Sequence, residues 1–197
     1  MKRLILICML SLGFVLSWSI AGFGDFYVIP VTKCCTCAGT LYENRWCDNG
    51  DGTVTDLTTC LVWLQKADWG GTKPWRNSST DCSSPNYTCY DDAHTRAGSL
   101  RNGASGANLS DGSVFGDWRL PTNTELVGLV NGTPNLRCYS MTCDLYAFTG
   151  VQSSSYWTSS WYQDFQYAGG VNPAGGFVGG AAKYLPRNVW PVRSGNR

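Results

Sequence analysis

Apolar and polar positions alternate between residues 44 and 66, and the pattern predicts strands joined by tight turns. Residues 48–52 contain the dipeptides Asn-Gly and Asp-Gly, which favour tight turns because Asn and Gly tolerate positive φ. The flanking residues 53–56 and 61–64 are β-branched, apolar or aromatic, as strands prefer. A further turn is expected at residues 57–60. The segment therefore predicts a small antiparallel meander.

A first short helix is predicted after residue 90. Asp91 or Asp92 can cap its start, and Gly103 can end it. Ala and Leu residues recur on one face between these limits, at the spacing of a helix that packs on a core. We expect His94 to lie on the surface of this helix, since no nearby Ser and Asp pattern offers it a catalytic triad.

A second short helix is predicted directly after Pro121. Thr122 and Glu125 have the three-residue spacing of a capping box, in which each side chain accepts a hydrogen bond from the other residue's backbone N–H. An apolar stripe follows at helical spacing, and the dipeptide at 131–132 is expected to end the helix. Together with the strand pattern, the two helices predict an α+β domain.

The last third of the chain predicts strands and long loops. Residues 156–162 alternate aromatic and small polar side chains, which is typical of a strand. Residues 168–182 are so rich in Gly and Ala that we expect a loop or a close-packed turn region. Residues 189–193 are expected to form an edge strand, because Pro191 cannot donate to a ladder.

Composition favours a strand-rich and loop-rich domain with an aromatic core. The 197 residues include 23 Gly and 9 Trp, and charged residues make up only 15% of the chain. A helical bundle needs more charge on its exposed faces, whereas Trp supplies the large apolar area that a core requires. We expect Trp118, Trp157 and Trp190 to lie in that core.

Net charge excludes a general attraction to nucleic acid. The chain has 15 Lys and Arg against 14 Asp and Glu, and it stays near neutral without Lys2 and Arg3. After Asp144 the only acid is Asp164, so the C-terminal region is mildly basic. Scattered, solvated charge is the alternative explanation for that imbalance.

The first 21 residues have the pattern of a secretory signal peptide. Lys2 and Arg3 precede an apolar run at 4–16, and small residues at 19 and 21 predict cleavage after Ala21. A retained membrane anchor is the alternative, although the run is short and interrupted. We expect a Cys-rich extension at 22–42, a domain at 43–197, no membrane span after cleavage, and a secreted, cell-surface or periplasmic protein.

Cysteine usage predicts disulfides in an oxidising compartment. The chain has ten cysteines, and only Cys8 lies in the leader. Short separations favour three local disulfides, namely Cys82–Cys89, Cys138–Cys143 and Cys47–Cys60. The cluster at 34–37 holds three more, and the odd cysteine is either free or paired with another chain. A disulfide-linked oligomer therefore stays an alternative.

No metal site or cofactor is predicted. A calcium loop would need oxygen ligands at alternate positions and a closing glutamate, whereas Asp48 and Asp51 are three apart and no glutamate follows before Glu125. A turn explains these residues better. The cysteine cluster at 34–37 lacks a second Cys pair, and His94 is the only histidine of the chain.

Four motifs in one order carry a family resemblance. They are Asp48-Asn-Gly-Asp-Gly-Thr-Val-Thr-Asp56 with Leu61-Val-Trp63, Asp117-Trp-Arg-Leu-Pro-Thr122 with Glu125-Leu126, Tyr156-Trp-Thr-Ser-Ser160, and Val189-Trp-Pro-Val-Arg-Ser-Gly195. Over roughly residues 43–195 the chain resembles the Lcl C-terminal domain family of bacteria, which is named after a collagen-like surface adhesin.

The resemblance implies a C-type-lectin-like fold, similar also to that of the formylglycine-generating enzymes: a compact domain of small antiparallel sheets, two short helices and long loops. It also implies adhesion, since the adhesin's domain is implicated in binding sulfated glycosaminoglycans. The chain departs from calcium-dependent lectins, because Asn172-Pro173-Ala174 lacks the flanking acid of their sugar motif. It also lacks any cysteine after Cys143, against the enzymes' C-terminal cysteine pair.

We therefore predict a ligand-binding protein without a catalytic site, whose partner is a glycan or a surface protein. Aromatic faces stack on sugars, and Lys or Arg pair with sulfate or carboxylate. The predicted ligand-binding residues are Trp161, Tyr162, Tyr167, Lys183, Tyr184, Arg187 and Arg193. Two alternatives stay open: a hypervariable recognition protein diversified by a retroelement, and a structural component of a cell-envelope assembly.

Overall fold

A computed structural model describes residues 35–76, 91–132, 142–145, 147–162, 164–174 and 176–195. This part of the chain contains twelve strands and two helices. They are β1 Thr40–Tyr42, β2 Trp46–Asp48, β3 Thr53–Asp56, β4 Leu61–Leu64, β5 Thr72–Lys73, α1 Ala93–Gly98, α2 Asn123–Asn131, β6 Thr142–Leu145, β7 Phe148–Gln152, β8 Tyr156–Tyr162, β9 Asp164–Asn172, β10 Phe177–Ala182, β11 Arg187–Asn188 and β12 Val192–Ser194.

The first sheet contains the predicted meander. Its strands run in the order β1-β2-β3-β4-β12, with every neighbouring pair antiparallel. In the turn between β2 and β3, Asp48 accepts a hydrogen bond from the Gly50 N–H, and Asp51 accepts one from the Thr53 N–H. Gly50 has positive φ, as the turn signal requires. Both carboxylates thus stabilise the turn, as predicted from the sequence.

Two disulfides attach the segment before β1 to this sheet. Cys35 pairs with Cys60, and Cys37 pairs with Cys47, with Cα–Cα distances of 5.8 and 5.4 Å. The predicted Cys47–Cys60 pair is therefore wrong, although both residues are disulfide-bonded. The β2–β3 register places Thr55, not Cys60, opposite Cys47, and the preceding segment supplies both partners instead. The predicted Cys82–Cys89 and Cys138–Cys143 pairs lie outside the described residues and side chains.

The helices follow their capping signals. Thr122 and Glu125 form the predicted capping box, and α2 ends at Gly132. The side chain of Asp92 caps α1 by accepting from the Thr95 N–H. The helix ends before Ser99, earlier than the expected Gly103. No helix of the described residues is long and apolar enough to span a membrane.

The core is aromatic, as the composition predicted. Indole and phenol rings meet edge to face or tilted around Trp190, which contacts Trp63, Phe148 and Tyr156 at centroid distances of 5.2 to 5.8 Å. The Trp190 indole N–H donates to the Leu64 carbonyl at 2.8 Å. The fully buried tryptophans are Trp46, Trp63, Trp118, Trp157 and Trp190. The predictions that Trp118, Trp157 and Trp190 are core residues are confirmed.

The second sheet has the order β10-β9-β8-β11-β5. Its β9–β10 hairpin covers most of residues 168–182, so the prediction of a loop there is wrong. The glycines allow close packing: a side chain at Gly169 would collide with Asn123, and one at Gly180 would collide with the Tyr162 ring. Glycine in these strands therefore reflects tertiary contacts and not a turn.

The last described strand, β12, lies at the edge of the first sheet, as predicted, but it is shorter than expected. Strand β12 begins at Val192 and pairs with β4 at the edge of the first sheet, whereas β11 pairs in parallel with β8 in the second sheet. Together, the sheets, helices and disulfides agree with the predicted α+β domain.

Candidate functional site

One face of the second sheet collects aromatic, small and basic side chains. Residues directly opposite each other in antiparallel strands have their side chains on the same face of the sheet. The register of β8, β9 and β10 therefore aligns two rows of residues on this face, one that starts at Trp161 and one that starts at Trp157. We call this side of the sheet the tryptophan face; Trp157, Ala168 and Ala181 are buried on it, against Trp75 and α1. Its rows are Trp161, Ala168 and Ala181, and Trp157, Gly170 and Gly179.

Trp161 and Lys183 form the exposed centre of the tryptophan face. The indole of Trp161 is 63% exposed. The Lys183 Nζ lies 3.8 Å from its ring centroid and 4.6 Å from that of Trp75. Such cation–π contacts contribute about 0.5–2 kcal/mol each. An exposed aromatic ring is thus held beside an ordered positive charge.

Trp75 is the buried support of this pair. Its indole N–H donates to the Thr158 carbonyl at 2.6 Å, and its backbone N–H donates to the Lys183 carbonyl at 2.8 Å. Its ring packs edge-on against Trp161 with centroids 5.9 Å apart. Trp75 was not predicted as a site residue, because it lies in a polar segment far from the C-terminal third. Nothing local indicated that it would reach β8.

His94 lies behind Trp75 and is half-buried, so the expectation of a surface histidine is wrong in part. The ring centroids of the two side chains are 4.6 Å apart and perpendicular. Burial and the nearby Arg76 charge lower the pKa of His94. Among the described residues, its Nε2 has no hydrogen-bond partner. The neutral imidazole therefore fills the space behind the tryptophan.

Arg187 provides the second cation of the tryptophan face. From β11, its guanidinium carbon lies 4.9 Å from the ring centroid of Trp157, and its Nη1 reaches Gly170 of β9. Burial lowers the pKa of Arg187. Lys73, directly opposite on β5, forms an ion pair with Asp91. Within the described ranges, no hydrogen bond or ion pair is formed by the Arg187 guanidinium.

The predicted tyrosines are distributed differently. Tyr162 follows Trp161 along β8 and lies against Gly180, on the opposite face of the sheet. Tyr167 is partly exposed and precedes Ala168, so it also lies on that opposite face. Tyr184 is exposed in the turn after β10. The structure therefore brings together Trp161, Lys183 and Arg187, and it separates Tyr162 and Tyr167 from them.

Arg193, which the sequence predicted as a ligand-binding residue, lies on the first sheet and is paired with an acid. Arg193 is only 9% exposed, and its Nη2 lies 3.0 Å from the Asp111 carboxylate. Its guanidinium also lies over Trp118, with 5.3 Å between the guanidinium carbon and the ring centroid. Arg193 was proposed for its charge alone, and its acidic partner is 82 residues away in sequence.

Metal ligands are not grouped in the part of the chain that the structure describes. No cluster of three or more His, Cys, Asp or Glu side chains there could hold an ion.

Glu125, the acid of the capping box, accepts two hydrogen bonds from Arg119. Burial acts to raise the pKa of Glu125, but these bonds and those from Thr122 outweigh it, so the pKa is lowered. Its observed contacts are structural.

Comparison with known proteins agrees with the four sequence motifs. Among curated proteins, no match to the chain was found. A family model described as the Lcl C-terminal domain matches residues 52–193, which is most of the chain and includes β3 to β11, both helices and the first two residues of β12. The chain therefore belongs to the Lcl C-terminal domain family, and this membership indicates a surface, adhesin-like protein.

Proposed function

We propose that this protein is a secreted or surface-exposed binding protein, without catalysis, that recognises glycans through the tryptophan face. The observation that carries the proposal is the exposed indole of Trp161, held 3.8 Å from the Lys183 ammonium. The flat apolar surface of an exposed tryptophan suits the C–H face of a sugar ring. The Lys183 ammonium places a positive charge beside the Trp161 ring.

The charge of the tryptophan face favours anionic glycans. Lys183 and Arg187 lie on this face, while the chain as a whole carries a net charge of only +1. Both cations thus lie beside aromatic rings of the tryptophan face. Binding to a sulfated or carboxylated chain should therefore weaken as salt increases, since screening acts on exposed charges over about 10 Å at 0.1 M salt.

The test is binding of the full chain, expressed into an oxidising compartment, to a glycan array with neutral, carboxylated and sulfated members at low and high salt. We expect salt-sensitive binding to anionic glycans. Trp161→Ala should weaken it by about tenfold, which is about 1.4 kcal/mol. Phe115→Ala is the matched control, because Phe115 is 69% exposed but lies outside the sheet.

Three outcomes would contradict the proposal. One is an absence of glycan binding at either salt concentration, which would favour a protein partner. Another is unchanged binding after Trp161→Ala, since the exposed indole would then play no part in recognition. Equal losses in Trp161→Ala and Phe115→Ala would show only a general effect of removing exposed rings, and would also count against the tryptophan face.

A further inference from the structure

The β9–β10 hairpin contains two directly opposed glycine pairs, Gly169 with Gly180 and Gly170 with Gly179. Three of these glycines have a reason within the fold. Side chains at Gly169 and Gly180 would collide with α2 and with β8, as described above. A side chain at Gly170 would displace the Arg187 guanidinium.

Gly179 has no such reason. It lies in a strand without positive φ, and the only atom of the described residues within 4 Å of an added methyl would be the Phe177 Cδ1, at 4.0 Å. Alanine would fit there and would lose less conformational freedom on folding. A glycine inside a strand often marks a bulge, a tight bend, or the close approach of another backbone or of a ligand. The lack of a side chain at Gly179 therefore leaves a patch of open backbone on the tryptophan face, which we call the floor.

Arg187 borders this floor. Its guanidinium rests on Trp157 and reaches Gly170, which is directly opposite Gly179. As noted, it has no acidic or hydrogen-bonding partner among the described residues, unlike neighbouring Lys73. A half-buried guanidinium with unfilled N–H groups is suited to a planar or tetrahedral oxyanion, which it can bind with two parallel hydrogen bonds. Phe177, 76% exposed, supplies an apolar wall.

We propose that Arg187, Gly179 and Phe177 form a subsite for the carboxylate or sulfate group of a sugar ligand. The identification of the ligand as a sugar rests on the proposed function, whereas the oxyanion chemistry rests on Arg187 itself. The oxyanion pairs with the guanidinium, the sugar ring lies over the Gly179 backbone, and the Phe177 ring contacts the apolar side of the sugar. This subsite is distinct from Trp161 and Lys183, which lie in the other row of the face.

The experiment is an NMR titration of the full, oxidised protein with three small probes. Methyl glucuronide carries a carboxylate, glucose 6-sulfate carries a sulfate, and methyl glucoside is neutral. We expect at least one anionic probe to shift the amide signals of Gly170 and Gly179, and the neutral probe to shift them much less. The stronger of the two anionic probes identifies the source of the oxyanion. Equal shifts with all three probes, or no shift with either anion, would overturn the proposal.

Two variants with matched controls sharpen the result. Arg187→Lys keeps the charge but removes the two-pronged donor geometry, and we expect at least fivefold weaker binding of the anionic probe. Gly179→Ala adds a methyl to the floor and should weaken binding similarly. The controls are Arg101→Lys at an exposed site and Gly128→Ala, where an added methyl meets nothing within 4 Å. Unchanged binding in both test variants would refute the subsite.

The failures of the two proposals are distinguishable. If glycan binding depends on Trp161 but not on Arg187 or Gly179, the subsite is refuted and the proposed function stands. If the anionic probes shift Gly179 in an Arg187-dependent way while no glycan on the array binds, the subsite stands and the proposed function falls. Trp161→Ala should leave the shifts of Gly179 with the small probes unchanged.

Discussion

The basic residues of the C-terminal third divide between two environments. Arg193, at the edge of the first sheet, is buried against Asp111 and Trp118. Arg187, in the second sheet, is half-buried on Trp157 and has no acidic partner among the described residues. Both guanidiniums lie over a tryptophan, so an aromatic contact alone does not define a binding residue. The difference is the acid: Asp111 pairs with Arg193, whereas the described residues offer no acid to Arg187, which agrees with the ligand-binding role that we propose for it.

The same contrast holds for the surroundings of the two sheets. Around the first sheet, Asp56 and Asp111 are each bonded to an arginine and to neighbouring hydroxyl or N–H groups. The second sheet exposes Trp161 beside a lysine and leaves the floor at Gly179 open. The buried carboxylates around the first sheet are thus paired within the chain, although the indole N–H groups of Trp46 and Trp63 have no partner among the described residues. The second sheet carries the groups that we propose to bind an external partner.

The largest expected effect comes from breaking the pair at the first sheet. Arg193→Ala leaves the Asp111 carboxylate buried without its counter-charge, and we expect a loss of about 3–5 kcal/mol in the free energy of unfolding. Urea unfolding followed by tryptophan fluorescence measures it. Arg187→Ala is the comparison variant. If both variants lose the same stability, the structural distinction between the two arginines is wrong.

The second largest expected effect is at Asp56, whose contribution to the free energy of unfolding depends on pH. Burial acts to raise the pKa of Asp56, but hydrogen bonds from Arg45, Thr58 and Thr59 outweigh it and lower the pKa from 3.8 to about 2. A lowered folded-state pKa gives stability that is fully present above pH 3.8 and is lost as the pH falls through about 2. The shift corresponds to about 2 kcal/mol.

Asp56→Asn tests this contribution. At neutral pH the variant should be less stable than the parent by about 2 kcal/mol, because the bond with Arg45 loses its charge. The difference should shrink as the pH is lowered from 3.8 towards 2, since the parent then loses the same contribution. Urea unfolding at a series of pH values measures both curves. Parallel curves over that pH range would show that Asp56 does not titrate as described.

The sequence predicted the local elements and missed the long-range contacts. The capping box of Thr122 and Glu125 and the turns of the meander are short-range signals, and both are present in the structure. The strands at 168–182 were missed because Gly169 and Gly180 are explained by Asn123 and Tyr162, which lie elsewhere in the chain. Composition within the segment could indicate only a turn.

The candidate site divides in the same way. Trp161, Lys183 and Arg187 were proposed because aromatic and basic side chains suit glycans, and the structure places all three on one face. Trp75 was missed because its hydrogen bond to Thr158 joins residues 83 apart. Chemistry can be inferred from residue types, whereas the choice between a buried pair and a binding group depends on partners that only the fold brings together.

The smallest expected change in stability is at the second sheet. Arg187→Ala removes a guanidinium that has no acidic partner in the described part of the chain, and only its stacking on Trp157 is lost. We expect the free energy of unfolding to fall by about 1 kcal/mol or less, measured by the same urea unfolding as for Arg193→Ala. The anionic probe should nevertheless bind at least fivefold more weakly. A large loss of stability with unchanged probe binding would make Arg187 a structural residue like Arg193, and the contrast between the two sheets would fail.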